Sequence, residues 1–214
     1  VNCDSTAVYR GFDIGTDKVA REDQRGITHH LIDIVEAIEE YTAAQYARDA
    51  AAAIREIQAR GHVPFVVGGT GFYYRALTRG LFPGPGRDVV LRRRLEAIAG
   101  RRDVRFLHRM LGRIDPESAA RIQPRDLKRI VRALEVFWLT GRPLTAHFAD
   151  TASPIPGVEV LAIGVRLAPA QIAERVARRV DAQFARGLLD EMRALLDRGV
   201  PESARPFGGP PWDT

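Results

Sequence analysis

Residues 62–70 of this chain read HVPFVVGGT, and this stretch decides the fold class. A short run of apolar and β-branched residues that ends in two glycines is typical of a buried strand in a parallel sheet. A second such run, VEVLAI, occupies residues 158–163. Upstream, residues 42–60 predict an amphipathic helix with a capping box at its start and a glycine after its end. Because the opening residues also resemble the end of a strand, the order is strand, helix, strand, which predicts an α/β fold.

The pattern changes at residues 83–86, a PGPG cluster that breaks regular structure. Helical periodicity follows, with helices predicted over 87–100, from 103 to 112, from Asp115-Pro116 onward and over 126–140, and a long helix from Pro169 to Arg198 that bends near Gly187. We therefore predict four segments: residues 1–85 as the first part of the α/β core, 86–150 as a helical insertion, 151–200 as the returning strand and long helix, and 201–214 as an irregular tail.

The composition is that of a globular protein with a basic balance. The net charge of +5 over 214 residues favours nucleic acid or phosphorylated partners. Because the composition is rich in arginine throughout, the charge alone is weak evidence for such a partner. No run of roughly 18–20 apolar residues predicts a membrane span. The single cysteine, Cys3, cannot form an internal disulfide, so we expect a small core residue and a cytoplasmic protein. His29 and His30 lack partners at metal-ligand spacing, and a polar loop contact is expected there.

Two polar groups follow predicted strands and should share one edge of the sheet. Asp4 and Ser5 follow the opening segment, and Thr70 follows the run 62–67. In an open α/β sheet, ligands bind beyond the carboxyl ends of the strands. A carboxylate there can act as a base or hold a metal, and a threonine hydroxyl can contact a phosphate or a base edge. The alternative is that Asp4 and Thr70 cap the turns that follow them.

Two basic clusters lie on predicted helices. Lys128, Arg129 and Arg132 lie off the apolar stripe of their helix and suit phosphate contacts, unless they form a solvated charged face. Arg175 and Arg179 are one helical turn apart and could clamp a phosphate, or they form an ordinary surface pair.

Taken in order, the motifs of this chain resemble those of the tRNA dimethylallyltransferase family: DSTAVYRGFDIGTDK, HHLIDI, YTAAQYARDA, PFVVGGTGFYYRAL, DPESAARIQPRDLKRIVRALEVFWLTGRPL and ERVARRVDAQFARGLLDEMRALL. The resemblance covers residues 1 to about 200. It implies a P-loop-NTPase-like parallel sheet core, here incomplete, with a helical insertion. It also implies transfer of a dimethylallyl group from dimethylallyl diphosphate, with Mg²⁺, to N6 of a flipped-out adenosine next to the anticodon of tRNA.

The resemblance assigns roles residue by residue. Asp4 is similar to the family's general base and Thr70 to the threonine that assists at the reacting centre. The positions similar to tRNA contacts are Asp4, Ser5, Thr6, Ala7, Thr70, Arg92, Lys128, Arg129, Ile130, Val131 and Arg132. The helix with Arg175 and Arg179 resembles the one that reaches toward the diphosphate. No metal ligand in this chain is implied, and a monomer is expected.

Two departures from the family pattern bear on activity. Many family members have glutamine at the position of Ala7, so one contact to the base is in doubt. The phosphate loop G-x-x-x-x-G-K-[ST] is absent from the sequence, as is the family's C-terminal helical part. We therefore expect a fragment that is inactive or nearly so by itself.

Three other functions remain open on the sequence. A P-loop small-molecule kinase shares the sheet and the late helix with arginines. An adenylate isopentenyltransferase would use the same donor but a free nucleotide as acceptor. A non-enzymatic RNA-binding remnant would bind tRNA with steep salt dependence and no turnover.

Overall fold

The structure, a computed structural model, describes residues 1–208, which form two compact units. The core unit comprises Val1–Thr78 and the described residues from Pro154 onward, and the helical unit comprises Arg79–Ser153. Within residues 1–208 there are nine α-helices: α1 Ala43–Ala59, α2 Gly71–Arg79, α3 Val89–Arg102, α4 Val104–Ile114, α5 Pro116–Arg121, α6 Leu127–Thr140, α7 Leu144–His147, α8 Pro169–Ala185 and α9 Leu188–Asp197. None of them is long and apolar enough to cross a membrane.

Helix α1 forms where the sequence predicts it. The Thr42 hydroxyl accepts a hydrogen bond from the Gln45 amide at 3.2 Å, and the Gln45 side chain accepts one from the Thr42 amide at 2.8 Å, which confirms the capping box. Tyr46 and Ile54 are buried on one face of α1. The Tyr46 ring stacks on that of Tyr73 from α2, with centroids 4.2 Å apart, so these two helices share the core of their unit.

The parallel sheet predicted for the core does not form as named strands within the described residues, although the bridges that occur there are parallel, as predicted. Within residues 1–208 no strand forms, and only two isolated parallel bridges occur, Asn2 with Val67 and Tyr9 with Val35. Val67 is 68% exposed, and apolar side chains of the second run are also uncovered, with Leu161 at 86%. Strands require hydrogen-bond partners from elsewhere in the chain. Residues 62–67 have such a partner on one side, and residues 158–165 have none in the part of the chain described.

The helical unit follows its local signals closely. Aspartates cap the N-termini of helices α3 to α6: Asp88, Asp103, Asp115 and Asp126. Helix α6 ends at Gly141, which adopts the left-handed conformation with φ 71°. The buried core of the unit consists of Leu95, Ala99, Leu107, Leu111, Ile130, Val131, Ala133 and Leu134. Helices satisfy their own backbone hydrogen bonds, so the bounds of these elements follow signals that lie within a few residues of each end.

The predicted long C-terminal helix divides into two. Gly187, with φ 96°, separates α8 from α9, so the change of direction predicted near Gly187 occurs as a break between two helices and not as a bend within one. Helix α8 is exposed along most of its length, including the apolar side chains of Ile172, Val176 and Phe184. Helix α9 is tied to the core unit through the buried Leu195.

Candidate functional site

The candidate site begins where the opening segment runs beside residues 65–67. The Val67 amide donates to the Val1 carbonyl at 3.0 Å, and the Cys3 amide donates to the Val67 carbonyl at 2.8 Å. Farther along, the Thr70 amide donates to the Cys3 carbonyl at 3.0 Å. These bonds hold residues 1–3 beside residues 65–70, so that the two segments end next to each other. The residues at these ends, Asp4–Ala7 and Thr70, form what we call the rim.

Gly68 permits this close approach. A Cβ at Gly68 would lie 2.3 Å from the backbone carbon of Cys3 and 2.4 Å from its carbonyl oxygen, too near for any side chain. A Cβ at the adjacent Gly69 would meet nothing within 4 Å. Of the two glycines, Gly68 is therefore the one on which the geometry of the rim depends.

One carboxylate oxygen of Asp4 organises the turn behind it. Asp4 Oδ1 accepts hydrogen bonds from the amide of Thr6 at 2.7 Å, the hydroxyl of Thr6 at 2.6 Å and the amide of Ala7 at 3.4 Å. Oδ2 accepts none from residues 1–208 and belongs to a partly exposed side chain. The turn-capping role considered as the alternative is therefore real, but it occupies only one of the two oxygens.

Thr70 links the two halves of the rim directly. Its Oγ1 accepts a hydrogen bond from the Ser5 amide at 2.9 Å and lies 3.3 Å from the Ser5 hydroxyl. Both side chains are partly exposed. The structure thus brings together Asp4, Ser5, Thr6 and Thr70, as the sequence predicted, whereas the side chain of Ala7 is buried and is removed from the set of direct contacts.

The rim rests on buried aromatic residues. Cys3 is 3% exposed, which confirms its assignment to the core, and burial raises the pKa of its thiol, so the thiol stays neutral. The Tyr46 hydroxyl lies among buried atoms and has no hydrogen-bond partner within residues 1–208. Burial also raises the pKa of Tyr46 and of Tyr73. This floor is uncharged, and it supports the rim without competing for its protons.

Two residues that sequence reasoning missed hold the loop after the rim. Glu191 of α9 accepts hydrogen bonds from three consecutive amides, those of residues 13–15, at 2.7–2.9 Å. Lys18 donates to the Tyr9 carbonyl at 2.6 Å and pairs with Asp13 and Asp33 at 2.8 and 2.5 Å, with its side chain only 5% exposed. Glu191 is more than 170 residues from its partners, so no local pattern could have predicted the contact.

In the helical unit, two of the predicted RNA-contacting arginines have a structural partner. Glu135 is fully buried and accepts hydrogen bonds from Arg92 Nε at 2.7 Å and Nη2 at 2.8 Å, from Arg132 Nη1 at 2.6 Å and from the Asp88 amide at 2.8 Å. Burial by itself would raise the pKa of Glu135, but the bonds from Arg92 and Arg132 outweigh it and lower the pKa to about 2. Arg92 and Arg132 therefore neutralise a buried charge.

The rest of the predicted RNA-contacting stretch divides by exposure. Ile130 and Val131 are 0% and 3% exposed and belong to the core of the helical unit, so their side chains are removed from the set of RNA contacts. Lys128 and Arg129 are both exposed, and Arg129 forms an ion pair with Asp126 at 3.3 Å. Their contact with RNA stays a prediction.

Arg175 and Arg179 lie on the exposed part of α8 and share one face of it. Binding of a diphosphate by this pair also stays a prediction. His29 Nδ1 lies 2.9 Å from the Ile27 carbonyl oxygen, which confirms a polar loop contact. No group of three His, Cys, Asp or Glu side chains that could hold a metal occurs within residues 1–208.

Comparison of the chain with known proteins gives one consistent family. Residues 7–209 match the family model described as IPP transferase. The chain is 47% identical over 207 residues to a tRNA dimethylallyltransferase of Solibacter usitatus and 45% identical over 213 residues to one of Geobacter metallireducens. Each alignment covers 97% of this chain and 67% of the relative, so the chain spans about two thirds of their length.

Solved structures give the same result. The chain is similar to a tRNA isopentenylpyrophosphate transferase of Bacillus halodurans, with a TM-score of 0.61 and 37% identity, over 97% of this chain and 64% of that one. It is also similar to a eukaryotic dimethylallyltransferase acting on tRNA, with a TM-score of 0.67 and 27% identity, over 92% of this chain and 49% of that one.

Proposed function

This chain belongs to the IPP transferase family, and from that premise we propose that it carries the acceptor-binding side of a tRNA dimethylallyltransferase. The reaction transfers a dimethylallyl group from dimethylallyl diphosphate to N6 of the adenosine next to the anticodon. The observation that carries the proposal is the rim, in which the hydrogen bond from the Ser5 amide to Thr70 Oγ1 at 2.9 Å joins the segment of Asp4 to that of Thr70.

Asp4 is the proposed general base. An exocyclic amine is a poor nucleophile, so a carboxylate must take its proton as the carbon–nitrogen bond forms. In this step the N6–carbon bond forms, the bond between the allylic carbon and the diphosphate oxygen breaks, the diphosphate leaves and the N6 proton passes to Asp4. The position of Oδ2 supports this role: it accepts no hydrogen bond from residues 1–208, while the Thr6 and Ala7 amides hold Oδ1 and fix the orientation of the carboxylate.

Thr70 and Ser5 are proposed to position the adenine. Their hydroxyls lie 3.3 Å apart at the rim, and together they offer donors and acceptors to the edge of a flipped-out base. The close approach at Gly68 supports this role, because it brings the backbone before Thr70 against Cys3, next to the segment that carries Ser5.

The donor side of the reaction is proposed on the family alone. Arg175 and Arg179 would contact the diphosphate of the donor through charge-assisted hydrogen bonds. Magnesium binds through one or two carboxylates together with substrate phosphates, and the described residues provide no cluster of three protein ligands. No step above depends on the metal. A cytoplasmic monomer is likewise proposed, and light scattering would test the monomeric state.

The positive charge of the chain supports tRNA as the acceptor. Residues 79–153 contain sixteen Lys and Arg against eight Asp and Glu, a net charge of +8, whereas the whole chain has a net charge of +5. The remaining residues are therefore net acidic. A polyanionic acceptor that extends beyond a single nucleotide explains why the cations are concentrated in the helical unit.

The test is acceptor choice. Labelled dimethylallyl diphosphate is offered with an RNA hairpin that has an adenosine next to its anticodon, with the same hairpin carrying guanosine there, and with free AMP. The assay uses this chain and the product of the whole reading frame that encodes it. We expect label only on the adenosine hairpin. Transfer to AMP would favour the adenylate transferase, and phosphoryl transfer from ATP would favour the kinase.

A further inference from the structure

A groove of about 540 Å³ lies on the helical unit, between α4 and the segment that joins α5 to α6. Its lining is Arg105, His108, Arg109, Gln123, Pro124 and Arg125. None of these residues has a role in the rim, in the Glu135 network or in the family-based assignments above. The groove is therefore a separate feature of the helical unit that still requires an explanation.

The three arginines of the groove lack a carboxylate partner within residues 1–208. Arg105, Arg109 and Arg125 form no ion pair in that part of the chain. Some other arginines of the same unit do, such as Arg121, which pairs with Glu117 at 3.1 Å, and Arg142, which pairs with Asp150 at 3.2 Å. Three guanidinium groups around one groove repel one another, and an anion in the groove would relieve that repulsion.

The groove is also held in shape before any ligand arrives. His108 Nε2 lies 3.0 Å from the carbonyl oxygens of both Ala119 and Ile122, which fixes α4 to the C-terminal end of α5. The Arg109 guanidinium lies 6.0 Å from the centre of the Phe106 ring, within the range of a cation–π contact. Binding then costs less side-chain freedom, which favours affinity.

We propose that this groove binds the sugar–phosphate backbone of the RNA substrate; this rests on the proposed function. Arg105 and Arg109 are four residues apart on α4, with roughly 5–6 Å between their Cβ atoms, so both can reach phosphates of one strand. The planar guanidinium matches phosphate oxygens with two parallel hydrogen bonds.

The lining of the groove favours contacts with the phosphates over stacking on the bases. Among the described residues that line it, His108 alone has an aromatic ring, so the groove lacks the series of aromatic rings on which successive bases stack. The groove therefore positions the RNA without reading its sequence. It differs from Arg92 and Arg132, whose charges are already used by Glu135.

Binding of the adenosine hairpin to the whole chain tests this proposal, measured by fluorescence anisotropy between about 50 and 200 mM salt. Three variants are compared with the unmodified chain: R105A/R109A, R125A and the control R121A, which also removes one positive charge from the helical unit. We expect R105A/R109A to weaken binding at least tenfold and R125A several-fold. The slope of log affinity against log salt should fall by roughly one for each phosphate that is no longer neutralised. R121A should change binding less than twofold. Circular dichroism checks that the substitutions leave the fold intact.

The outcomes separate this proposal from the proposed function. If the unmodified chain binds the hairpin, and both R105A/R109A and R125A bind it with the same affinity and salt slope, the groove assignment is wrong and the function stands. If the unmodified chain does not bind the hairpin, both are wrong. Inorganic diphosphate is the competitor: if it displaced RNA from the unmodified chain but not from R105A/R109A, the groove would be a small-anion site and the assignment to RNA would fail.

Discussion

The local sequence pattern predicts the structure of the helical unit better than that of the core unit. In the helical unit, capped helices bury the apolar residues that their periodicity selects, such as Leu107 and Leu134, both 0% exposed. In the core unit, the two apolar runs that predicted strands remain uncovered, with Phe65 73% and Ile163 81% exposed. A helix completes its hydrogen bonds within itself, whereas a strand requires a neighbour. Local signals therefore suffice in the first unit and fail in the second.

The two units also differ in how many of their charged side chains have partners within the fold. The cations of the helical unit include a closed structural set around Glu135 and an open set around the groove. The rim in the core unit contains no cations. Its single carboxylate, Asp4, uses one of its two oxygens to accept the hydrogen bonds of the turn that follows it. The charged groups around Glu135 therefore stabilise the fold, whereas those of the groove and the rim are available to bind a substrate.

The largest effect on stability is expected from Glu135→Gln. This change keeps the shape of the side chain but leaves Arg92 and Arg132 without that counter-charge, and breaking a buried ion pair costs about 3–5 kcal/mol of the free energy of unfolding. Urea unfolding followed by circular dichroism measures it. Glu117→Gln, which breaks the exposed pair with Arg121, is the control and should cost less than about 1 kcal/mol. Equal costs for both variants would contradict the structural role of Glu135.

The pH dependence of stability should reflect the same network. The pKa of Glu135 is lowered from 4.5 to about 2, so its contribution is fully present above pH 4.5 and is lost as the pH falls through about 2. Asp115 acts in the same direction, because hydrogen bonds from Ser118 and Thr145 lower its pKa against the effect of burial. We expect a loss of roughly 3 kcal/mol from Glu135 in this window. The Glu135→Gln variant should show a flatter profile, and an unchanged profile would contradict the assignment.

We expect Gly68→Ala to reduce the free energy of unfolding less than Glu135→Gln does, but to distort the rim specifically. The added methyl would overlap the backbone of Cys3 and push Thr70 away from Ser5. We expect a cost of about 1–3 kcal/mol and a drop in transfer activity of roughly tenfold or more. Gly69→Ala is the matched control, because a Cβ there meets nothing within 4 Å. If both variants kept full activity, the rim would not depend on this close approach.

Much of the helical unit could be predicted from the sequence because its signals are local. The proline after Asp115, the glycine at 141 and the apolar stripe through Ile130 each act within a few residues. The same locality explains the burial of Ile130 and Val131: both lie in a motif that resembles RNA contacts, and helical periodicity turns their side chains toward the core. The resemblance identified residues 128–132 as a stretch that contacts RNA, and the helical period determines which of these side chains face outward.

The rim was predictable in its membership but not in its detail. Two segments that end in polar residues were expected at one edge, and the Ser5–Thr70 bond joins them there although no sheet forms around them within residues 1–208. What the sequence could not reveal were contacts between distant residues. The carboxylate of Glu191 on the amides of residues 13–15 and the arginines drawn to Glu135 are examples, since each depends on the tertiary packing of helices.

Asp4 is proposed to accept the proton of the adenosine amine, and the variant Asp4→Asn removes this role while it keeps the shape of the side chain. The asparagine oxygen can still accept the bonds from Thr6 and Ala7, so the turn is kept and only the base is removed. Single-turnover transfer to the adenosine hairpin, in the product of the whole reading frame, should fall by about 10²–10⁴-fold, while affinity for the hairpin changes less than about twofold. Transfer at an undiminished rate in Asp4→Asn would show that Asp4 is not the general base.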